Sequence, residues 1–316
     1  MHFSYNMAGG EMMYDVIIIG SGPAGLSAAI YAKRAALNVV VLEEAPFSGG
    51  QMLNTYEVDN YPGFSGISGM ELATKMRTHA DKLGVEFVTA KVTEAELTGS
   101  VKKVRTDREV YEAGHVIIAT GARHASLGVK GEELFTGKGV SYCATCDGAF
   151  FKNKDVAVVG GGDVAAEDAL YLARICKKVF LIHRRDKLRA AGLLQQKLME
   201  QKNIEFCWNN VVDEIVGETA VESLRLCHVI SGEKITLPVQ GVFIAIGNRP
   251  QTELFTGQIN ADRTGYLIAG EDGKTSVDGV YAAGDVRAGH LRQIVTAAAD
   301  GANCINSIVE QINRMQ

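Results

Sequence analysis

Tyr14-Asp15-Val16-Ile17-Ile18-Ile19-Gly20-Ser21-Gly22-Pro23-Ala24-Gly25, running on into Leu26-Ser27-Ala28-Ala29-Ile30-Tyr31-Ala32, decides how this chain folds. The β-branched run reads as a strand buried in a parallel sheet, and the small apolar residues after the glycines read as a helix. In a strand, turn and helix of this kind the first glycine permits the tight turn. The second lets a pyrophosphate approach the backbone, and the third position needs a small residue so that the helix can pack on the strand. The free N–H groups and the positive end of the helix dipole then face the phosphates. Gly20, Ser21, Gly22, Pro23, Ala24 and Gly25 are therefore candidate cofactor contacts.

The pattern recurs 140 residues later. Asp155-Val-Ala-Val-Val159 reads as the strand, Gly160-Gly161-Gly162-Asp163-Val164-Ala165 as the turn, and Ala166 to Ala173 as the helix, which adds Gly160, Gly162, Asp163, Val164 and Ala165 to the candidates. One such fingerprint is weak; a matched pair with correct flanks is much stronger. The fold class that follows is α/β, with two Rossmann-like three-layer nucleotide-binding domains. The two units differ where the second strand ends. Glu43 closes Val39-Val-Val-Leu42 twenty-three residues after Gly20, placed to accept hydrogen bonds from a ribose diol, and Glu44 takes that role if the turn is one residue looser. His183 closes Val179-Phe-Leu-Ile182 at the same spacing from Gly160, with Arg184, Arg185 and Arg189 behind it. A 2′-phosphate calls for the planar fork of arginine rather than an acid. The first turn thus suits FAD or NAD and the second suits NADPH. The competing reading of the arginines, a solvated helix entry, fits this position of a repeated unit less well.

Composition agrees with two domains. At about 150 residues each, 316 residues make two, and 47% hydrophobic residues suffice for two cores. A net charge of -5 argues against a nucleic-acid partner, which needs clustered Lys and Arg. Val16 to Ala32 carries no charge, but its glycines and its length make it a strand, turn and helix rather than a membrane span. Met1 to Met13 has no cation ahead of an apolar run, so no secretory signal is expected and the protein is expected to be cytoplasmic. Met1, Met7, Met12 and Met13 all precede the first strand, and this tail is expected to carry no function.

Three further segments bear on the first domain. His115-Val-Ile-Ile-Ala119-Thr120-Gly121 and Gly241-Val-Phe-Ile-Ala-Ile-Gly247 are strands closed by a glycine and read as linkers between the domains. Gly279-Val-Tyr-Ala-Ala-Gly284-Asp285 places an acid at a strand's carboxyl end, where it can meet a ribityl hydroxyl, and so favours FAD in the first site. Gln293 to Ile312 puts Ile294, Ala298, Ile305, Ile308, Val309 and Ile312 at helical spacing, as a core face.

Of six cysteines, Cys176, Cys207, Cys227 and Cys304 stand alone and read as buried structural thiols. Cys143-Ala144-Thr145-Cys146 reads either as a redox pair or as half of a zinc site, and no second C-x-x-C completes a tetrahedral set. Asp147 reads as a turn residue or as a proton carrier beside the sulfurs. Glu167 reads as an acid near the second cofactor or as an ordinary acid at a helix start. His2, His115, His124, His228 and His290 show no paired spacing and are expected to be structural or exposed.

Gly20-x-Gly22-x-x-Gly25, Gly49-Gly50-Gln51, Asn60-Tyr-Pro-Gly63, Ala119-Thr-Gly121, Cys143-Ala-Thr-Cys146-Asp147, Gly160-x-Gly162-x-x-Ala165, His183-Arg-Arg-Asp186, Gly284-Asp285 and Arg292-Gln293, in that order, resemble the low-molecular-weight, bacterial-type thioredoxin reductases from about Tyr14 to the last helix. The order is specific, because in glutathione reductase-type relatives the cysteines follow the first fingerprint and here none occurs before Cys143. The departures are Leu188, where that family often has an aromatic, and a longer N-terminal tail. The resemblance implies a discontinuous FAD domain, residues 1–121 and 250–316, with an NADPH domain, residues 122–249, inserted into it. It adds Gly50, Gln51, Asn60, Val92, Ala119, Thr120, Gly121, Gly284, Asp285, Arg292 and Gln293 to the cofactor contacts. It implies a homodimer and a two-electron relay from NADPH through FAD to a Cys143–Cys146 disulfide and on to thioredoxin, with Cys146 nearest the flavin and Asp147 moving the proton. It also implies a rotation of the NADPH domain, for which Thr120-Gly121 and Gly247-Asn248 are the expected hinges. Other functions that fit the fold are reduction of a different disulfide partner, a thiol oxidase without need of NADPH, and a nucleotide-sensing flavoprotein. The intact second turn with its arginines counts against the oxidase, and the Cys-x-x-Cys-Asp triplet against the sensor.

Overall fold

The computed structural model describes residues 13–55, 57–289 and 291–315. The readings made of Met1, Met7, Met12, His2 and His290 lie outside them. The chain divides into two compact units: one runs up to Arg123 and resumes at Arg249, and the other is His124–Asn248.

In the first unit β1 (Tyr14–Ile19) leads through the glycine turn into α1 (Pro23–Arg34) and on to β2 (Val39–Glu43). After α2 (Gly69–Lys82) come β3 (Glu86–Thr89), β4 (Val92–Glu96), β5 (Lys102–Thr106) and β6 (Val110–Ile118). The sheet order is β3-β2-β1-β6-β5-β4, with its β3-β2-β1-β6 portion parallel. Apolar runs without alternation fit strands that are covered on both faces, and Val16, Ile17 and Ile18 are wholly buried. Helix α2 starts where Ser68 Oγ accepts the Glu71 N–H at 3.1 Å, closing a free donor of the first turn.

The chain crosses through β7 (Ala122–His124) into the second unit, where β8 (Val140–Ser141), α3 (Ala144–Asp147), β9 (Asp155–Gly160), α4 (Asp163–Ala173), β10 (Lys178–His183), α5 (Gly192–Glu200) and β11 (Ile204–Trp208) follow. An antiparallel sheet of β12 (Asn210–Gly217), β13 (Val221–His228) and β14 (Lys234–Pro238) precedes β15 (Gly241–Ala245). The main sheet of this unit has the order β11-β10-β9-β15-β8 and is parallel throughout. The chain leaves through β16 (Asn248–Pro250), which pairs with β7, and the first unit is completed by β17 (Val280–Ala282), parallel to β6, and α6 (Ile294–Met315).

Two sequence readings change here. The segments read as linkers are central strands: β6 lies between β1 and β5, and β15 between β9 and β8. A strand buried on both faces and a crossing strand have the same apolar composition, and only pairing distinguishes them. The crossings proper are the short β7 and β16, entered just after Gly121 and Gly247, whose φ angles of 69° and 122° suit glycine. The lone cysteines also divide: Cys176 and Cys304 are buried, whereas Cys207 and Cys227 are only half-buried. The core face of α6 is where the periodicity puts it, with Ile305 and Ile308 buried, and the small residues Ala297 and Gly301 share that side. A Cβ at Gly301 would stand 2.1 Å from the Ala24 carbonyl oxygen, so α1 and α6 touch backbone to backbone.

Candidate active site

The first turn is held by an acid. Glu43, at the carboxyl end of β2, accepts Ser21 N–H and Ser21 Oγ–H on one oxygen, both at 2.7 Å, and Ala45 N–H at 2.9 Å on the other. A carboxylate offers about four acceptor positions, so one remains for a ligand hydroxyl. Glu44 points elsewhere, ion-paired to Lys91 at 3.1 Å. The Gly49-Gly50 loop lies across the turn: Gly49 N–H donates to Ser21 O at 2.9 Å, and a Cβ at Gly50 would stand 3.5 Å from the Gly22 Cα. Nothing lies within 4 Å of where a Gly22 Cβ would be, which leaves the open approach that a phosphate needs. Gln51 Nε2 donates to Ala122 O, and Asn60 Nδ2 donates to Gln293 Oε1 at 2.9 Å. Thr120 and Gln251 clasp each other, Thr120 Oγ1 to Gln251 O at 2.7 Å and Gln251 Nε2 to Thr120 O at 2.5 Å.

At the carboxyl end of β17, Gly284 N–H is held by Asp300 at 3.0 Å, and burial pushes the Asp285 carboxyl up against the opposing pull of Arg292. Arg292 lies 4.1 Å over the Tyr266 ring, with its buried Nε lacking any partner. An orphaned donor at this place is what an absent polar ligand leaves behind. Val92 lies on β4 and packs against the core cluster that holds Ile19 and Leu42.

The second turn is laced to a cationic loop. His183 is buried at the end of β10 with its ring beneath Gly161, where a Cβ would meet the imidazole at 2.2 Å. Burial lowers the His183 pKa, and its Nε2 has no partner. Arg184, Arg185 and Arg189 are exposed, while Leu188 between them is buried and anchors the loop. Gly162, like Gly22, leaves open space where its Cβ would be. Val164 is exposed. The Asp163 carboxylate accepts the Ala191 N–H at 2.7 Å, turned toward the loop. Glu167 is exposed, and burial together with the Glu167 charge pushes Asp168 up to about 7.

In the same unit Cys143 and Cys146 form a disulfide, the redox-pair reading of the two, rather than standing as separate thiolate ligands. Cys143 begins α3, and its sulfur accepts Cys146 N–H at 3.2 Å. Ser141 Oγ donates to Asp147 Oδ2 at 2.6 Å and accepts Cys143 N–H at 3.1 Å, which ties the acid to the cysteine backbone. Asp147 Oδ1 is buried without a partner. Burial raises the Asp147 pKa more than the Ser141 hydrogen bond lowers it. Tyr142, next to Cys143, stacks on His124 with ring centroids 5.0 Å apart and donates to the buried Glu132 at 2.8 Å.

The family model of the pyridine nucleotide-disulphide oxidoreductases matches residues 14–301. The chain belongs to this family. Within it the chain is 48% identical to a thioredoxin reductase of Listeria innocua, over 93% of the chain and 92% of that protein. It is 44% identical to the thioredoxin reductase of Bacillus subtilis over 97% of each. The crystal structure of thioredoxin reductase from Streptococcus pyogenes superposes with a TM-score of 0.92 at 45% identity, covering 96% of this chain and 99% of that one. FAD and NADPH are the cofactors of this class. The open phosphate approaches at Gly22 and Gly162, the spare acceptor on Glu43 and the unpartnered Arg292 Nε all fit them.

Ser141, Tyr142, Gln251 and Tyr266 escaped the sequence reading. A serine two residues before a C-x-x-C carries no spacing signal although its partners Cys143 and Asp147 are near in sequence, and Gln251 meets Thr120 only because the two crossing segments run side by side.

Proposed function

We propose that this protein is an NADPH-dependent thioredoxin reductase, with FAD held by the unit built on Gly20–Gly25 and NADPH by the unit built on Gly160–Ala165. The observation that carries the reading is the Cys143–Cys146 disulfide tied through Ser141 to Asp147, a half-buried acid whose pKa burial raises, in the unit whose second nucleotide strand is followed by arginines. When bound, NADPH and FAD supply the hydride and the two-electron carrier.

The residues of the chain do the rest. Glu43 and the Gly20–Gly25 turn bind ribose and phosphate of one cofactor; Asp285, Arg292, Asn60 and Gln293 bind farther along it. Arg184, Arg185 and Arg189 take the 2′-phosphate of the other. Reduction breaks the Cys143–Cys146 bond with two electrons and one proton, leaving one thiol and one thiolate. Asp147, whose pKa burial raises, would deliver that proton to a departing thiolate, and by the family resemblance Cys146 would be the sulfur that a bound flavin reduces. One thiolate then attacks the thioredoxin disulfide to form a mixed disulfide, and the other cysteine attacks that bond, which restores Cys143–Cys146 and frees reduced thioredoxin. The same resemblance supports a homodimer in the cytoplasm. Among the described residues no helix is long and apolar enough to cross a membrane.

The test is anaerobic addition of NADPH to the flavin-loaded protein, followed by disulfide reduction with and without thioredoxin. Bleaching of the visible flavin band and thioredoxin-dependent turnover are expected. Absence of bleaching sinks the reductase reading, and bleaching without thioredoxin turnover transfers it to another disulfide partner.

A further inference from the structure

The loop that carries the arginines does not stand by itself. Three consecutive backbone N–H groups at its end are caught by the nucleotide turn: Arg189 N–H and Ala190 N–H donate to Gly161 O at 2.7 and 3.2 Å, and Ala191 N–H donates to Asp163 Oδ1 at 2.7 Å. At the other end, Asn209 N–H donates to Arg185 O at 3.2 Å. Leu188 and Ala190 are buried, so the arginines project from a segment pinned between them. Asp163 is the one side chain of the turn that takes part, and it is the only ionised acceptor among these contacts.

We propose that Asp163 is a positioning residue for NADPH selectivity. It holds the start of α5, and with it Arg189 two residues earlier, in register with the pyrophosphate turn, so that the arginines meet a 2′-phosphate without having to be ordered on binding. The proposal rests on the assignment of Arg184, Arg185 and Arg189 to that phosphate. The charge of Asp163 at the N-terminus of α4 acts on both coenzymes alike, because NADPH and NADH share the pyrophosphate; it cancels in their ratio. The hydrogen bond to Ala191 acts on the 2′-phosphate site alone and remains in the ratio.

The experiment compares KM for NADPH and NADH in the flavin-loaded wild type, Asp163→Ala and Asp163→Asn. Calorimetric titration with 2′,5′-ADP and 5′-AMP, which differ by the 2′-phosphate, reads binding without turnover. Loss of a hydrogen bond to a charged acceptor should lower the NADPH preference of Asp163→Ala about five-fold, with the same fall in preference for 2′,5′-ADP over 5′-AMP. Asp163→Asn keeps a side-chain oxygen acceptor and should keep most of the preference. An unchanged ratio in Asp163→Ala, or an equal loss in both variants, overturns the positioning role. A wild type that does not prefer 2′,5′-ADP over 5′-AMP overturns the arginine assignment and this proposal together.

Discussion

The two nucleotide turns share a backbone and differ in what stands at the end of the second strand. In the first unit Glu43 points inward to the turn and spends three acceptor positions on Ser21 and Ala45. In the second, His183 is buried beneath Gly161, where burial lowers its pKa, and the cations begin one residue later on an exposed loop. An acid can serve its own turn and a ribose together, because it accepts from several donors. An arginine has only donors, so it must stand off from a turn made of N–H groups, and its loop is tied back by main-chain bonds to Gly161 and Asp163. The helices differ too: α1 has no acid in its first turn, whereas α4 begins with Asp163 and carries Glu167 and Asp168 one turn on.

The strongest way to break this contrast is to remove the cations. Changing Arg184 and Arg185 to Ala should raise KM for NADPH about 100-fold through loss of two charge-assisted contacts, with KM for NADH nearly unmoved. Steady-state kinetics with both coenzymes reads this, and equal effects would refute the 2′-phosphate assignment. Next comes Glu43→Ala, which leaves the N–H of the fully buried Ser21 without an acceptor. A cost of about 1–3 kcal/mol should appear as roughly ten-fold weaker FAD retention, measured by flavin fluorescence after dialysis, with 2′,5′-ADP affinity unchanged. If FAD is retained as in the wild type, the acid does not serve the first cofactor.

The smallest effect concerns the carboxylates of α4. Asp168 is raised from 3.8 to about 7 by burial and by Glu167, so between these values the folded state holds a proton that the unfolded state has lost. Folding stability from this group is therefore complete at about pH 3.5, falls as pH rises toward 7, and stays low above it. Asp168→Asn should melt with the wild type near pH 4 and a few degrees higher at pH 8. Thermal unfolding at both pH values checks this, and a variant that melts lower at pH 8 would show that the ionised carboxylate has a partner.

Much of the site was legible because its residues are neighbours in sequence. Gly20–Gly25 and Gly160–Ala165 each lie within one strand-turn-helix, Glu43 ends the next strand after the first turn, and Cys143 and Cys146 are three residues apart. The misreadings fell where sequence distance is large. Strands β6 and β15 passed for linkers because apolar strands look alike until their partners are known. Glu44 competed with Glu43 until its pairing with Lys91 removed it. Cys207 and Cys227 were expected inside and are only half-buried, since nothing in a lone cysteine tells which face of a strand is covered.

Local chemistry in the sequence determined two glycine turns, opposite charges after their second strands, and a dithiol next to an acid, because short-range backbone sterics and side-chain chemistry do not depend on the rest of the fold. Only the tertiary structure decided how these groups are tuned. Ser141 reaches Asp147, burial raises the pKa of that acid, and Gly161 with Asp163 catches the arginine loop. Desolvation and long-range hydrogen bonds arise only once separate strands have packed.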